Sequence, residues 1–541
     1  MSNEYTPNLI DVATLEAWLD DGAEIALLDV REEGLFGEGH LLFGTNLPYS
    51  RLERDIARLV PRTATRIVLI GEGGNGVLAA KRLDALGYTD VNKLQGGVEA
   101  WRAAGGSLFT SIHVPSKAFA EVVEHAYHTP AIKAEALSKL IEEKADIVVL
   151  DSRTLEEYDR FHVPSAISCP SAELVYRFAD LVPSPDTFVV VSCAGRTRGI
   201  IGAQALINAG VPNRVAALEG GTQGWKLAGL PVEKGRVAAY GPASDAARAQ
   251  GLKRSAALAA RFDVPYIDVA QFDAWRKDAS RTTYLFDVRT PDEFLAGHLP
   301  GAVSVAGGQI VQTLDKWAAV RGARLVLADD QQVRADVTAH WLRQLGWDAV
   351  VLRYDAATAS LEQGKATLET PVRPAAEEID SAKAKQLLEQ GARAISVDAS
   401  ADFRKAHPVG VLWANRSRLA VLPEEIASAQ TLLVFAHDRD AAQLVAHDLI
   451  ERNASQTVLV VRGDADAWRV AGLVVEESPQ TPPDAERIDF LFWLYDRHLG
   501  NAEASRAYLA WEGELPKLIG SAEKAGFRIP ANESKASSAV H

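Results

Sequence analysis

Short apolar runs, each followed by an amphipathic stretch, recur along the chain in three blocks. The first block ends an apolar run on an acidic residue: ALLDVREEGLFGEGHLLFG from Ala26, VVLDSRTLEEYDRFHVPSA from Val148 and YLFDVRTPDEFLAGHLPGA from Tyr284. An eroded version, AISVDASADFRKAHPVG, starts at Ala394, so Asp29, Asp151, Asp287 and Asp398 read as the residues that close these strands. The second block is an apolar run, a loop and a helical stretch: RIVLIGEGGNGVLAAKRLDALGY, FVVVSCAGRTRGIIGAQALINAGV, RLVLADDQQVRADVTAHWLRQLGW and TLLVFAHDRDAAQLVAHDLIERN. The third is a turn leading to Trp101, Trp225 and Trp468; the corresponding VLRYDAATA of copy 3 has no tryptophan. A repeat of roughly 110–140 residues is a domain, not a solenoid unit. Apolar runs alternating with amphipathic helices predict an α/β fold: four tandem domains, each a parallel sheet with helices on both faces.

The predicted domains span 1–108, 130–235, 262–372 and 378–477. The connecting segments 107–131 and 236–263 carry helical apolar spacing and are expected to pack on the domains. ESPQTPPDAER reads as a breaker-rich hinge, and 484–530 as two amphipathic helices split at Gly500-Asn501. Trp493, Tyr495, Tyr508 and Trp511 give that C-terminal segment much apolar area. Docking on the protein's own surface is favoured over a partner or self-association.

Composition narrows the class. The 541 residues are 47% hydrophobic and 24% charged, with a net charge of −15. No apolar run approaches the roughly 18–20 residues of a membrane span. The N-terminus lacks a basic and apolar leader, so a soluble, cytoplasmic protein is expected. The acidic balance, without a dense Lys/Arg cluster, argues against nucleic acid as a partner. Two cysteines, Cys169 and Cys193, exclude a disulfide framework and a four-cysteine metal site. No metal or other cofactor is expected.

In parallel α/β sheets ligands sit at the carboxyl ends of strands, beside helix N-termini. At the first loop position of the second block stand Gly71, Cys193, Asp329 and His437. Only copy 2 offers a nucleophile, in the string Cys193-Ala194-Gly195-Arg196-Thr197-Arg198-Gly199. Backbone amides curling round the sulfur, the helix N-terminus near Arg198, and two guanidinium groups each lower a thiol pKa. That setting predicts a reactive thiolate.

The D-x-R…E-[FY]…H-x-P-[GS]-A, strand–CxxxxR–helix and GG-xx-W blocks together resemble the rhodanese, or thiosulfate sulfurtransferase-like, family over roughly residues 5 to 475. The resemblance implies a five-stranded parallel sheet per domain, a cysteine that carries sulfane sulfur as a persulfide, and inactive companion domains. Related phosphatases resemble CxxxxxR, with five residues between Cys and Arg, where this chain has four between Cys193 and Arg198. The shorter loop suits a persulfide better than a tetrahedral phosphate. The implied reaction moves sulfur from thiosulfate to cyanide or a thiol through Cys193. The two loop arginines favour thiosulfate over the less anionic 3-mercaptopyruvate. The alternative is a sulfur carrier or regulatory scaffold charged by a partner enzyme.

Candidate substrate-binding residues are Ala194, Gly195, Arg196, Thr197, Arg198 and Gly199, with Arg153 and Trp225 beyond the loop. Each of the last two has a competing structural reading, because the silent copies carry them too. Arg153 matches Arg31 and Arg289, which suggests an ion pair with Asp151; Trp225 matches Trp101 and Trp468, which suggests core packing. Glu157 and His162 recur as Glu293 and as His40, His298 and His407, so they read as turn-fixing groups. Arg198 has a counterpart in Arg334 of copy 3, where no cysteine is present. Cys169 aligns with Leu47 and Val305, an apolar core position.

Overall fold

Unbroken β-branched runs such as Val189–Val191 leave no polar face, and the strands they form are covered on both sides. The computed structural model describes residues 5–366, 375–498, 501–521 and 525–530. In copy 2 five parallel strands lie in the order Ala131–Ile132, Val215–Leu218, Phe188–Ser192, Ile147–Asp151, Ile167–Ser168. Val190 joins a core with Leu137 and Trp225 on one face. Val191 points the other way, into the helix Thr197–Asn208, where a methyl group on Gly202 would come within 3.1 Å of it.

Copies 3 and 4 repeat the five-stranded parallel order, and in copy 1 the strands Asn8–Ile10, Val91–Leu94, Ile67–Ile70, Ile25–Asp29 and Thr45–Asn46 pair likewise. The α/β class, with four parallel sheets flanked by helices, is therefore observed. Copy 3, which lacks the third tryptophan, also has no helix among the described residues after Asp348–Arg353 and before Glu377–Ile379. The connecting segments hold the helices Val114–Tyr127 and Asp245–Arg261. At the C-terminus the helices are Phe492–His498 and Ala502–Leu518. Gly500, at the expected break, lies outside the described residues; Asn501 caps the second helix by accepting from the amides of Glu503 and Ala504.

Strand register corrects the alignment of the eroded copy. Asp29, Asp151 and Asp287 pair with Asn46, Ser168 and Ser304 on the neighbouring strand, and Ser396 holds the same place opposite Trp413. Asp398 therefore sits at the position of the arginines, two residues on. By the same register Cys193 matches Gly71, Asp329 and Ala436, so His437 is not its counterpart. His437 instead donates its amide to Asp398, at 2.7 Å. The eroded motif keeps an aspartate, but not at the strand end.

The recurring polar groups are braces. Arg31, Arg153 and Arg289 each pair with the aspartate two residues earlier and donate to the carbonyl of Gly39, Phe161 or Gly297, at 2.6–2.7 Å. His40, His162, His298 and His407 each stack on the aromatic ring four residues earlier and contact its carbonyl through Nδ1. Thr154 and Thr290 form capping boxes with Glu157 and Glu293. Cys169 is fully buried, and burial pushes its thiol well up.

Copies 1 and 4 belong to one compact unit; copies 2 and 3, with the helix Ala502–Leu518, belong to another. In the first unit Arg416 of copy 4 pairs with Glu53 of copy 1 and with Asp448, which also receives Arg82 of copy 1. In the second unit Arg334 of copy 3 reaches Glu173 of copy 2. Asp336, on the same helix as Arg334, accepts from Ser255 and Tyr266, both at 2.9 Å. Burial pushes its carboxyl up to about 6 from 3.8. A carboxyl that holds its proton more tightly when folded loses stability as pH rises from about 4 to about 6. Asp336→Asn is expected to gain about 3 kcal/mol at pH 7 and little at pH 4, as read by denaturant unfolding at both pH values.

Candidate active site

The strand Phe188–Ser192 ends at the sheet's carboxyl edge and the helix Thr197–Asn208 starts after four intervening residues, which leaves Cys193 to Arg196 as a tight loop. The amides of Gly195 and Gly199 pull the Cys193 thiol down, against the larger effect of burial. The double glycine of the third block has a steric reason here. Gly221 has φ +55, and a methyl group on it would come within 2.4 Å of the Cys193 carbonyl oxygen. The helix it begins, Gly221–Leu227, holds the loop from behind: Thr222 donates its amide to Cys193 O at 2.8 Å and Gln223 donates to Ala194 O at 3.1 Å.

The structure brings the six loop residues together around Cys193 but assigns the two arginines elsewhere. Arg198 makes a two-pronged pair with Glu157, at 2.6 and 2.7 Å. Burial alone would raise Glu157, yet Arg198 pulls it down to about 2. Arg196 is held by Glu121 at 2.6 Å and also by Glu124, both on the helix Val114–Tyr127. These carboxylates were not legible in the motif, since they lie about 75 residues away in a connecting segment. With its charge shared, Arg198 lowers the Cys193 thiol less than burial raises it. Cys193 is only 2% exposed, and its pKa lies above the ordinary value, with Glu512 pushing it the same way. The direction is thus the reverse of the expected depression.

A cavity of about 160 Å³ reaches the loop at Ala194. Arg153, Glu157, Arg160 and Lys226 line it beside Phe161; Arg153 and Glu157 are paired with Asp151 and Arg198, so Arg160 and Lys226 give it a cationic rim. Lys226 lies over the Phe161 ring at 4.4 Å. Trp225 does not line this cavity; it is core, with its indole donating to Pro231 O at 2.6 Å. Of the two candidates outside the loop, only Arg153 faces the cavity, while remaining paired with Asp151. Arg160 and Lys226 went unnoticed because a single surface cation carries no signal in the sequence.

Copy 3 reports what this loop does to an anion. Its Asp329 stands at the cysteine position and is fully enclosed. Its carboxylate accepts from the amides of Gln331 at 3.1 Å, Arg334 at 2.7 Å and Ala335 at 3.3 Å, and pairs with the Arg334 side chain at 2.8 Å. Burial would raise this carboxyl, but Arg334 and those amides hold it below its usual range. The position-matched loop of copy 2 surrounds sulfur, though it turns into its helix differently, with Arg196 at φ −116 where Gln332 is at φ +63. A short nest of amides at a helix N-terminus is an anion site.

The rhodanese-like domain model matches residues 11–104, 133–228 and 268–357, more than half of the chain, and the chain belongs to that family. The fourth copy lies outside the matched residues. The crystal structure of a thiosulfate sulfurtransferase from Pseudomonas aeruginosa is similar to this chain, with 42% identity over 96% of this chain and 99% of that one, at a TM-score of 0.91. HTH-type transcriptional regulator Rv0324 of Mycobacterium tuberculosis is 34% identical over 109 residues, which are 20% of this chain and 46% of that protein. The chain thus matches less than half the length of that curated relative. Among the described residues no helix is long and apolar enough to cross a membrane.

Proposed function

We propose that the chain is a sulfurtransferase that moves sulfane sulfur from thiosulfate to cyanide or a thiol through a persulfide on Cys193. The observation that carries this reading is the anion-receiving loop, whose copy 3 counterpart holds a carboxylate on equivalent amides. The likeness to the Pseudomonas aeruginosa enzyme supports the choice of donor. The Cys193 thiolate attacks the outer sulfur of thiosulfate, the S–S bond breaks, and sulfite leaves with the bonding pair. The loop amides stabilise the charge as it arrives on the persulfide. The acceptor then attacks the outer persulfide sulfur and the Cys193 thiolate departs. Arg160 and Lys226 at the rim receive the sulfonate end, since Arg153, Arg196 and Arg198 are engaged by carboxylates.

A persulfide carrier charged by a partner enzyme is the second reading, and the burial of Cys193 is what favours the small donor over it. Intact-protein mass spectrometry separates the two. Incubation with thiosulfate alone is expected to add one sulfur atom, mapped to Cys193. Addition that occurs only with a cysteine desulfurase present overturns the enzyme reading in favour of the carrier.

A further inference from the structure

The C-terminal helix Ala502–Leu518 is part of the Cys193 site. Ala502 and Ser505, in its first turn, line the cavity at the loop. One turn on, Leu509 covers the loop itself: a methyl group on Gly195 or Gly220 would come within 3.7 or 3.3 Å of it. Farther along, Glu512 accepts from Thr197 at 3.4 Å and from Tyr508 at 2.8 Å. The helix is anchored through Glu512, Tyr508 and Leu515, all buried, and Lys117 lies over the rings of Tyr508 and Trp511 at 5.3 and 5.2 Å. What reaches the loop beside this helix is a cavity of about 160 Å³. Pockets that enclose even drug-sized ligands run to roughly 300–1,000 Å³.

We propose that this helix makes Cys193 selective for sulfur acceptors that are small molecules and excludes cysteines held on folded proteins. The inference rests on the reading of Cys193 as the persulfide-bearing residue, and it narrows the acceptor within that reading. A small thiolate or cyanide enters past Arg160 and Lys226, attacks the outer persulfide sulfur, and takes it as the S–S bond to Cys193 breaks; Cys193 leaves as thiolate. A protein cysteine needs the same in-line approach, and its own fold collides with the helix before its sulfur reaches the cavity floor.

The test presents one acceptor in two forms. The full chain is charged with thiosulfate, sulfur on Cys193 is verified by intact mass, and excess donor is removed. A short cysteine peptide and the same peptide grafted into a surface loop of a folded carrier protein are then offered at equal thiol concentration. The carrier is expected to discharge the persulfide at least about tenfold more slowly. Equal rates overturn the proposal. Leu509→Ala, which thins the wall over Gly195 and Gly220, is expected to narrow the difference; an unchanged gap in that variant overturns the assignment to the helix. If no sulfur ever appears on Cys193, the underlying reading of the site fails instead, and the two failures are told apart at the first step.

Discussion

Cys193→Ser is expected to bring thiosulfate:cyanide turnover to the uncatalysed level, a loss on the order of 10³-fold or more. A serine oxygen in the same nest keeps the loop, its amides and the cationic rim, but it cannot accept sulfane sulfur and release it again. The loss should appear in kcat, with no sulfur adduct by mass, while binding of the donor anion persists. Cys169→Ala is the matched control. Cys169 is enclosed in the core of the same domain, at the place filled by Leu47 and Val305, so its removal is expected to cost some stability and leave turnover nearly intact. Turnover retained in Cys193→Ser and lost in Cys169→Ala would transfer the chemistry to the other thiol.

Arg416→Met is expected to be the most damaging single change to stability in the unit formed by copies 1 and 4. Arg416 is buried, donates to Glu53 at 2.6 and 2.7 Å and to Asp448 at 2.8 and 3.0 Å, and lies over the Tyr49 ring at 4.4 Å. Burial would push Asp448 up, and Arg416 is the main group holding it down. Methionine fills much of the volume but leaves Glu53 without its bidentate partner in a dry interface. Removing one side of a buried pair costs about 3–5 kcal/mol. For a unit of this size that corresponds to a fall in Tm of roughly 10 °C. Scanning calorimetry would show the loss, and a fall of no more than about 1 °C would mean that the carboxylates regain solvent or protons on unpairing.

What was legible in the sequence was whatever a local pattern encodes. The strand runs, the D-x-R turns, the glycine pair ahead of Trp225 and the loop from Cys193 to Gly199 all lie within short windows, and each has a local physical reason. The eroded copy misleads for the same cause. Without its first aspartate and arginine, the surviving Asp398 is drawn to the strand end, a place the hydrogen-bond register gives to Ser396. The electrostatics of the site escaped because they are set across the chain. Glu121, Glu124 and Glu512 approach the loop from helices outside the repeating blocks, and the balance between burial and Arg198 depends on how fully Cys193 is covered.

The loop of copy 3 has a consequence for anything dissolved around the protein. Asp329 is a ligand attached to its own receptor, so it occupies the amides at an effective concentration that no dilute solute matches. A thiosulfate ion arriving at copy 3 meets a site already saturated by a competitor that cannot diffuse away. The repeat that kept its arginine therefore has its loop amides already taken, by a carboxylate of its own.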